Sequence, residues 1–349
     1  MIDIALKEID KHDMYSHIVN FHKQIAEGIE IGQKADLGDL PGKHFGNIIL
    51  AGMGGSAIGG DLVRSFLKTD LRIPFIIHRN YGLPGFSDKN SLVICSSYSG
   101  GTEETLLAFQ TAIEKRCAVL CISTGGRLAD MARENKIPVI KIPSGMMPRA
   151  ALGYSFTPLL LAFGRLDLAK DYSDELAECS KMLNEWAKAY LFESLSNSAY
   201  ELAVKLAGKI VVIYSGPDYF DMAALRFKGQ IGENGKQLAF CNVFPEFNHN
   251  ELVGWELAPA ITNKYTVLIL RDKDDHPQVA RRMDIVGRIL KGKGIEVQEL
   301  FSKGQSLLSR IFSQIQMADF TSFYLALLNH CDPTPIELIE SLKNELGRD

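Results

Sequence analysis

The sequence predicts an α/β protein with two doubly wound parallel-sheet domains, each a three-layer α/β/α arrangement, followed by a helical C-terminus. Three observations predict this fold. Short apolar segments alternate with helical segments in the first half of the chain, and the same alternation restarts after a mostly helical stretch. Apolar strands separated by helices are typical of parallel sheets that are covered on both faces. The length of 349 residues suits about two domains, each with its own core.

The first half of the chain opens with a helical pattern and continues with five predicted strands. Asp13 is typical of an N-cap, and the apolar residues that follow it at helical spacing extend to Ile29. The predicted strands are 47–52, 74–78, 91–96, 117–123 and 137–142. The helices between them are predicted near 56–68, 102–115 and 126–134. Ligands of such sheets bind beyond the carboxyl ends of the strands, so the loops there are candidate sites.

Residues 150–207 are predicted to be mostly helical, and their charged stretch from Lys170 to Glu178 could form a hinge between domains. Strands restart at 209–215, 265–271 and 295–300, with helices from about 220 and from 277. Long helices close the chain near 305–330 and 335–346. We therefore expect an N-terminal domain over residues 1–155 and a second domain over residues 156–349.

The composition argues against several classes of protein. Hydrophobic residues make up 46% of the chain and charged residues 23%, as is ordinary for a globular protein. The net charge of -4 gives no basic field for nucleic acid, and no apolar run has the length of a membrane span. The N-terminal segment lacks the apolar core of a signal peptide. The six cysteines form no CxxC pair, so we expect free thiols, a buried Cys117 and Cys121, and a reducing, cytoplasmic location.

A glycine-rich segment, GMGGSAIGGD at 52–61, follows the first predicted strand and leads directly into a helix. Glycine lets backbone N–H groups approach an anion, and a helix N-terminus adds partial positive charge. The segment also fits a dinucleotide-binding pattern. However, the next strand ends in His78-Arg79-Asn80, which offers no acid to a ribose hydroxyl. A nucleotide P-loop is excluded because no Gly-Lys-Ser/Thr is present.

A second loop, SYSGGTEET at 97–105, follows the third predicted strand and also opens a helix. Its hydroxyls at Ser97, Ser99 and Thr102 alternate with glycines, so side-chain and backbone donors can converge on one small anion. Either loop alone could be no more than a helix cap after a strand. Two such loops on parallel strands, with Ser56 as a further hydroxyl, favour a site for a phosphate monoester.

Several segments together resemble a known enzyme family. The first two, GGSAIGGD and SSYSGGTEET, resemble the sugar isomerase (SIS) domain. Three further segments, PRAALGYS at 148–155, ENGK at 233–236 and PEFNHNE at 245–251, resemble the bifunctional phosphoglucose/phosphomannose isomerases of the phosphoglucose isomerase superfamily. This resemblance covers nearly the whole chain. It implies a cofactor-free and metal-free isomerase of glucose 6-phosphate, mannose 6-phosphate and fructose 6-phosphate. The residues it implies for phosphate binding are Gly54, Gly55, Ser56, Ser97, Ser99 and Thr102.

The same resemblance implies roles for residues outside the phosphate loops. An aldose–ketose isomerase needs one carboxylate base, a donor for the enediolate oxygen and an acid/base at the ring oxygen. Glu233 corresponds to the base, and as a buried carboxylate near the end of its helix it would have a raised pKa. Arg149 corresponds to the group that faces the C1 and C2 oxygens, with Pro148 shaping the approach. Without the resemblance, Glu233 would be taken for a solvated helix residue and Arg149 for a loop cap.

His249 corresponds to the family's ring-opening residue, which reaches the site across a dimer interface, so a homodimer is implied. A zinc site with Glu246 or Glu251 is the alternative, but no second histidine lies nearby in sequence. Lys343 corresponds to a lysine that assists ring opening, and Thr334 to a threonine linked to the acceptance of mannose. The segment that holds both could equally be an ordinary amphipathic helix that starts at a proline.

Two other functions fit parts of the sequence. An isomerase that accepts one aldose, or another sugar phosphate, would use the same loops. A sugar-phosphate sensor built from SIS domains would need the hydroxyls but not Glu233, His249 and Arg149. The presence of all three favours catalysis. We expect a small sugar phosphate as the partner, and we expect no binding to nucleic acid or to a membrane.

Overall fold

The part of the chain that the structure describes forms two parallel β-sheets, each in a compact unit of its own. The computed structural model describes residues 8–194 and 196–346, apart from the side chains of 257–260. The N-terminal unit consists of Asn20–Asn184 with Gln305–Ser309. The C-terminal unit consists of Glu185–Gly304 together with the described residues up to Val19 and from Arg310 onwards. Two parallel-sheet α/β units and a helical C-terminal end confirm the predicted fold class.

Helices and strands alternate in both units. The strands are β1 (Asn47–Ala51), β2 (Phe75–His78), β3 (Ser91–Ser96), β4 (Ala118–Ser123), β5 (Val139–Lys141), β6 (Ile210–Ser215), β7 (Ala239–Val243), β8 (Tyr265–Arg271) and β9 (Glu296–Phe301). The helices are α1 (Met14–Val19), α2 (Phe21–Lys34), α3 (Gly54–Phe66), α4 (Glu103–Glu114), α5 (Gly126–Glu134), α6 (Leu152–Arg165), α7 (Ser173–Lys188), α8 (Ser198–Leu206), α9 (Phe220–Glu233), α10 (Pro277–Gly292), α11 (Leu307–Leu328) and α12 (Glu337–Leu346). Among the described residues, no helix combines the length and the apolar character that crossing a bilayer requires.

The sheet of the N-terminal unit has the strand order β2-β1-β3-β4-β5, and all of its strands are parallel. The central strands β1, β3 and β4 are almost completely buried. Strands covered on both faces carry continuous apolar runs, which is why the five predicted strands agree with the structure to within one or two residues. Cys117 and Cys121 are buried and free, as predicted.

The predicted first helix is divided into two helices: α1 ends just before Asn20, and α2 begins just after it. The backbone of Asn20 leaves the helical path, with ψ near 14°. Asp13, the predicted N-cap, does not have the backbone conformation of an N-cap, because its φ is positive. The carboxylate of Asp10 accepts bonds from the N–H groups of Met14 and Tyr15, each at 2.8 Å, and so caps α1. The apolar spacing runs across the break, so periodicity alone did not reveal it.

The sheet of the C-terminal unit has the order β7-β6-β8-β9, again with parallel strands. Sequence patterns predicted β6, β8 and β9 but missed β7. This strand lies at the edge of the sheet, and its Phe240 is 54% exposed. An edge strand covered on fewer sides lacks the continuous apolar run of a central strand, so the pattern was too weak.

The division between the units falls at Asn184 and Glu185, within α7, and not near residue 155. Helix α6 is almost wholly buried and packs against α2 and α3 in the N-terminal unit. At Gly28 an added Cβ would lie 2.9 Å from the Cβ of Thr157, and at Gly59 it would meet Ser155. The charged stretch that was expected to be a hinge includes the beginning of α7 and belongs to the N-terminal unit. Helical periodicity does not show which sheet a helix covers.

Candidate active site

The loops that follow β1, β3, β4 and β5 meet at the carboxyl edge of the N-terminal sheet, and Tyr98 connects them. Its N–H group donates to the Oγ of Ser56 at 2.9 Å. Its carbonyl oxygen accepts from the N–H and the Oγ1 of Thr124, at 3.2 and 2.7 Å. Its phenolic oxygen accepts from the N–H of Met146 at 3.0 Å. One residue of the second phosphate loop therefore joins four loops.

The first phosphate loop packs directly against the segment that carries Arg149. Only two residues separate the end of β1 from Gly54, where helix α3 starts, so the first N–H groups of the helix lie close to the end of the strand. Gly54 has a φ of 49°. A Cβ on Gly55 would lie 2.7 Å from the carbonyl carbon and oxygen of Pro148, and 2.9 Å from the nitrogen of Arg149. Only glycine permits this approach. The first turn of α3 thus lies directly against Pro148 and Arg149 at Gly55.

In the second loop, two of the three predicted hydroxyls are close together. The Oγ of Ser97 and the Oγ1 of Thr102 are 2.8 Å apart, and the N–H of Gly100 donates to Ser97 at 3.1 Å. Ser99 is exposed, and its hydroxyl accepts from Gly101 at 3.3 Å. Helix α4 begins directly after Thr102. Hydroxyls and amides beside a helix N-terminus form a suitable site for a phosphate group.

Arg149 lies in a single 3-10 turn, Pro148–Ala150, and is 3% exposed. The carbonyl of Ala150 accepts from the Nε2 of Gln24 at 2.7 Å, and the Oε1 of Gln24 accepts from Gly153 at 3.2 Å. These bonds from α2 hold the segment on both sides of Ala151. The backbone of Arg149 therefore lies against the first predicted phosphate loop, and its side chain is buried.

Glu233 is the last residue of α9 and is partly exposed, so the expected burial of its carboxylate is not seen. The turn after it is firmly held. Asn234 is fully buried and donates from Nδ2 to the Oγ of Ser322 at 3.0 Å. The Nζ of Lys236 donates to the carbonyl oxygens of both Glu233 and Pro333. This lysine brings the turn at Glu233 next to Thr334, which is 5% exposed.

A buried polar network fixes α9 against α11. The guanidinium of Arg226 donates to both carboxylate oxygens of Asp319, at 2.8 and 2.9 Å, and Gln230 donates to Asp319 at 2.7 Å. Burial raises the pKa of Asp319, and the neighbouring Arg226 opposes that shift. A buried carboxylate with three such bonds has little freedom to move. The end of α9, and Glu233 with it, is therefore placed by the packing of two helices.

His249 lies in a 3-10 turn after β7 and is exposed. The segment around it is anchored by Phe247, which is fully buried and stacks on Tyr214 with ring centroids 4.1 Å apart. The hydroxyl of Tyr214 donates to Glu251 and accepts from the Nε1 of Trp255 at 3.0 Å. Burial raises the pKa of Tyr214, and the Glu251 carboxylate raises it further. The buried aromatic residues thus hold the turn that carries the exposed His249.

The two glutamates of the zinc alternative bind other groups. Glu251 accepts from Tyr214 and, at 2.7 Å, from Asn242, while Glu246 accepts from Asn250 at 3.0 Å. Within residues 8–194 and 196–346, no three His, Cys, Asp or Glu side chains form a group that could hold a metal ion. Both carboxylates have a local role in shaping the loop.

Lys343 lies on α12, and no residue of this helix is buried in the structure. Its neighbours Leu338, Leu342 and Leu346 repeat at helical spacing and are exposed. The structure therefore places Lys343 on an uncovered amphipathic helix, in agreement with the amphipathic pattern of the sequence.

Sequence reasoning missed Tyr98 and Lys236 as candidate residues. Both lie within segments that resemble the isomerase family, SSYSGGTEET and ENGK, and no other feature of the sequence singled them out. Their partners, Met146 and Pro333, are 48 and 97 positions away in the sequence. No local pattern shows bonds over such separations.

Comparison with known proteins identifies the family. The family model described as the bacterial phospho-glucose isomerase C-terminal SIS domain matches residues 195–346. A bifunctional phosphoglucose/phosphomannose isomerase of Caldicellulosiruptor bescii is 42% identical, over 96% of this chain and 99% of that protein. The chain belongs to this family of bifunctional isomerases. A second member, from Aquifex aeolicus, is 37% identical over 87% of this chain and 91% of its own.

The chain is also similar to proteins that are described in other terms. A D-glucosamine-6-phosphate 4-epimerase of Sulfolobus acidocaldarius is 30% identical, over 61% of this chain and 66% of that protein. Among solved structures, a hypothetical protein of Thermus thermophilus matches with a TM-score of 0.73 and 15% identity, covering 99% of this chain and 92% of that chain. The C-terminal domain of a glucosamine-fructose-6-phosphate aminotransferase from Francisella tularensis matches with a TM-score of 0.70 and 14% identity, covering 92% and 97%. At these identities the structures show the fold alone, and they confirm the predicted SIS architecture.

Proposed function

We propose that this chain interconverts glucose 6-phosphate, mannose 6-phosphate and fructose 6-phosphate through a cis-enediol intermediate. The relative from Caldicellulosiruptor bescii, which is similar over nearly the full length of both chains, supports this activity. The structural observation that carries the proposal is the packing of Gly55 against Pro148 and Arg149. In this packing the N-terminus of α3 lies against the backbone of the segment that carries the buried Arg149.

The two loops bind the phosphate. The N–H groups of Gly54 and Gly55 begin α3, and the hydroxyls of Ser97 and Thr102 are close enough to reach one phosphate group. Ser56 and Ser99 complete the set of hydroxyl donors. Because no lysine or arginine belongs to these loops, the phosphate is held by hydrogen bonds and can leave again after turnover.

The isomerisation itself needs one base and one positive charge. Glu233 takes the proton from C2 of the open-chain aldose, the C2–H electron pair forms the C1–C2 double bond, and the carbonyl electrons move to O1. Arg149 stabilises the negative oxygen of this enediolate. The proton of the C2 hydroxyl then passes to O1, and the electron pair left on O2 forms the C2 carbonyl. The electrons of the C1–C2 double bond take the proton back from Glu233 at C1, which gives the ketose. Since epimers at C2 share one enediol, a single base serves both aldoses. We assign Thr334 to the acceptance of mannose and Pro148 to the shape of the approach.

Ring opening and assembly complete the proposal. We assign ring opening to His249, donated by the partner of a homodimer, with help from Lys343. The exposure of His249 supports this role. So do two large apolar side chains in the same part of the chain, Phe240 and Val253, which are 54% and 64% exposed. Apolar surface of this kind is typical of a protein–protein interface. We further infer a metal-free enzyme of the cytoplasm, with a place in glycolysis and gluconeogenesis.

A coupled assay on glucose 6-phosphate and mannose 6-phosphate, each with and without EDTA, tests this function. We expect both aldoses to yield fructose 6-phosphate, and the rates to survive exhaustive chelation. Turnover of a single aldose would reduce the proposal to a monofunctional isomerase. Binding of a sugar phosphate without any turnover would replace it with a sensor. Activity that EDTA abolishes and zinc restores would refute the metal-free mechanism.

A further inference from the structure

The turn that leads to Arg149 is exposed at two of its residues. Ser144 and Gly145 are exposed, and Gly145 has a φ of 96° with no atom within 4 Å of the position of a Cβ. The 3-10 turn of Arg149 starts just afterwards, with a bond from the N–H of Ala150 to the carbonyl of Met147. Packing therefore does not hold Gly145 in place. The bond from Met146 to the hydroxyl of Tyr98 ties this turn to the second phosphate loop.

Tyr98 is itself well suited to act as a fixed point. Its main chain is bonded to Ser56 in the first loop and to Thr124 after β4. Its ring is half-buried, and burial raises the pKa of its phenol, so the hydroxyl remains neutral at physiological pH. A neutral phenol oxygen can accept the Met146 N–H bond throughout the working pH range. The same residue thus holds both the phosphate loops and the turn before Arg149.

We propose that Tyr98 is a positioning residue, which aligns the Arg149 guanidinium with a sugar whose phosphate is held by the two loops. The inference rests on the proposed isomerase function and adds a residue to it. The phosphate would fix one end of the substrate, and the Tyr98 hydroxyl would fix the distance from there to the cation at C1 and C2. Loss of the hydroxyl should then reduce the stabilisation of the enediolate more than the binding of the sugar phosphate. Misplaced catalytic groups lower rates because the transition state is sensitive to geometry.

The test uses Tyr98→Phe, which keeps the ring and removes only the acceptor. We expect kcat for glucose 6-phosphate to fall about three- to tenfold, the effect of one neutral hydrogen bond, with KM nearly unchanged. In an Arg149→Lys background, the added Tyr98→Phe change should have a much smaller effect, because the two residues act together. Hydrogen–deuterium exchange should show a faster-exchanging Met146 amide in Tyr98→Phe, independently of turnover.

Tyr172→Phe is the matched control. Tyr172 is buried, and its hydroxyl donates to Asp70 in the segment before β2, away from the carboxyl edge of the same sheet. It should change the melting temperature without the selective loss of kcat. An unchanged kcat in Tyr98→Phe, a rise in KM alone, or fully additive effects with Arg149→Lys would overturn the role of Tyr98. Absence of turnover in the unsubstituted chain would instead overturn the proposed function.

Discussion

Glu233 ends helix α9, and the turn that follows it is held by Asn234 and Lys236 through bonds to two other segments. Neither Asn234 nor Gly235, which follow it in sequence, could act as a base in its place. The resemblance of ENGK to the isomerase motif singled out this glutamate among 42 acidic residues. Its partly exposed side chain differs from the expected burial, because burial depends on what packs over the end of the helix.

Substitution of Glu233 by glutamine should nearly abolish isomerisation of both glucose 6-phosphate and mannose 6-phosphate. The amide keeps the shape of the side chain but cannot accept the substrate proton. Loss of a general base typically lowers the rate by about 10²–10⁴-fold. The measurements are kcat for each aldose and the exchange of deuterium into C1 of fructose 6-phosphate in D₂O.

Glu134→Gln serves as the control for this substitution, because Glu134 is also the last residue of a helix and is exposed. It should leave both rates unchanged. If Glu233→Gln lost only one aldose activity, or exchanged deuterium at the normal rate, another residue would have to be the shared base.

At the scale of the elements, the strands were easier to predict than the boundaries between helices. Buried parallel strands such as β3 carry one uninterrupted apolar run, so their position is visible in the sequence. The edge strand β7 has no such run and was missed. The break at Asn20 was also missed, because Ile18 and Phe21 keep the apolar spacing on both sides of it. A close approach between two elements, such as that of α3 to Pro148, requires a glycine at the contact. The sequence shows the glycine but not the residue that it contacts.

The approach of α3 to the Arg149 segment predicts a strong effect of Gly55→Ala. The added Cβ would lie 2.7 Å from backbone atoms of Pro148, so either the helix N-terminus or the Arg149 turn must shift. Displacement of about 1 Å at a catalytic group can lower rates by about a hundredfold. We expect kcat/KM to fall by about that amount, with a lower melting temperature as well.

Gly85→Ala is a suitable control, because Gly85 is exposed and nothing lies within 4 Å of its Cβ position. It should leave both kcat/KM and the melting temperature close to those of the unsubstituted chain. Normal kcat/KM in Gly55→Ala would show that the packing of α3 on Pro148 has no part in catalysis.

At the scale of the whole molecule, the proposed homodimer can be tested by mixing inactive subunits. If His249 serves the partner's site, a mixed dimer of Glu233→Gln and His249→Ala chains has one site with both substitutions and one site with neither. Random exchange of equal amounts should then restore about a quarter of the normal activity, because half of the dimers are mixed and each has one intact site. The measurement is turnover before and after verified subunit exchange.

Mixing Glu233→Gln chains with a chain that carries both substitutions is the control, since no arrangement of that mixture yields an intact site. No recovery in the first mixture after verified exchange would place His249 in the site of its own chain, or outside the chemistry.

The sequence by itself determined the α/β class, the position of every described strand except β7, and the two loops rich in glycine and hydroxyl side chains that follow β1 and β3. These features are local, since strand burial, glycine-rich turns and helix starts are recorded within a few neighbouring residues. Only the tertiary structure decided that α6 belongs with the N-terminal sheet, that Gly55 meets Pro148, and that Tyr98 joins four loops. Those contacts depend on the order of the strands in the sheet, which brings together residues that are far apart in the chain.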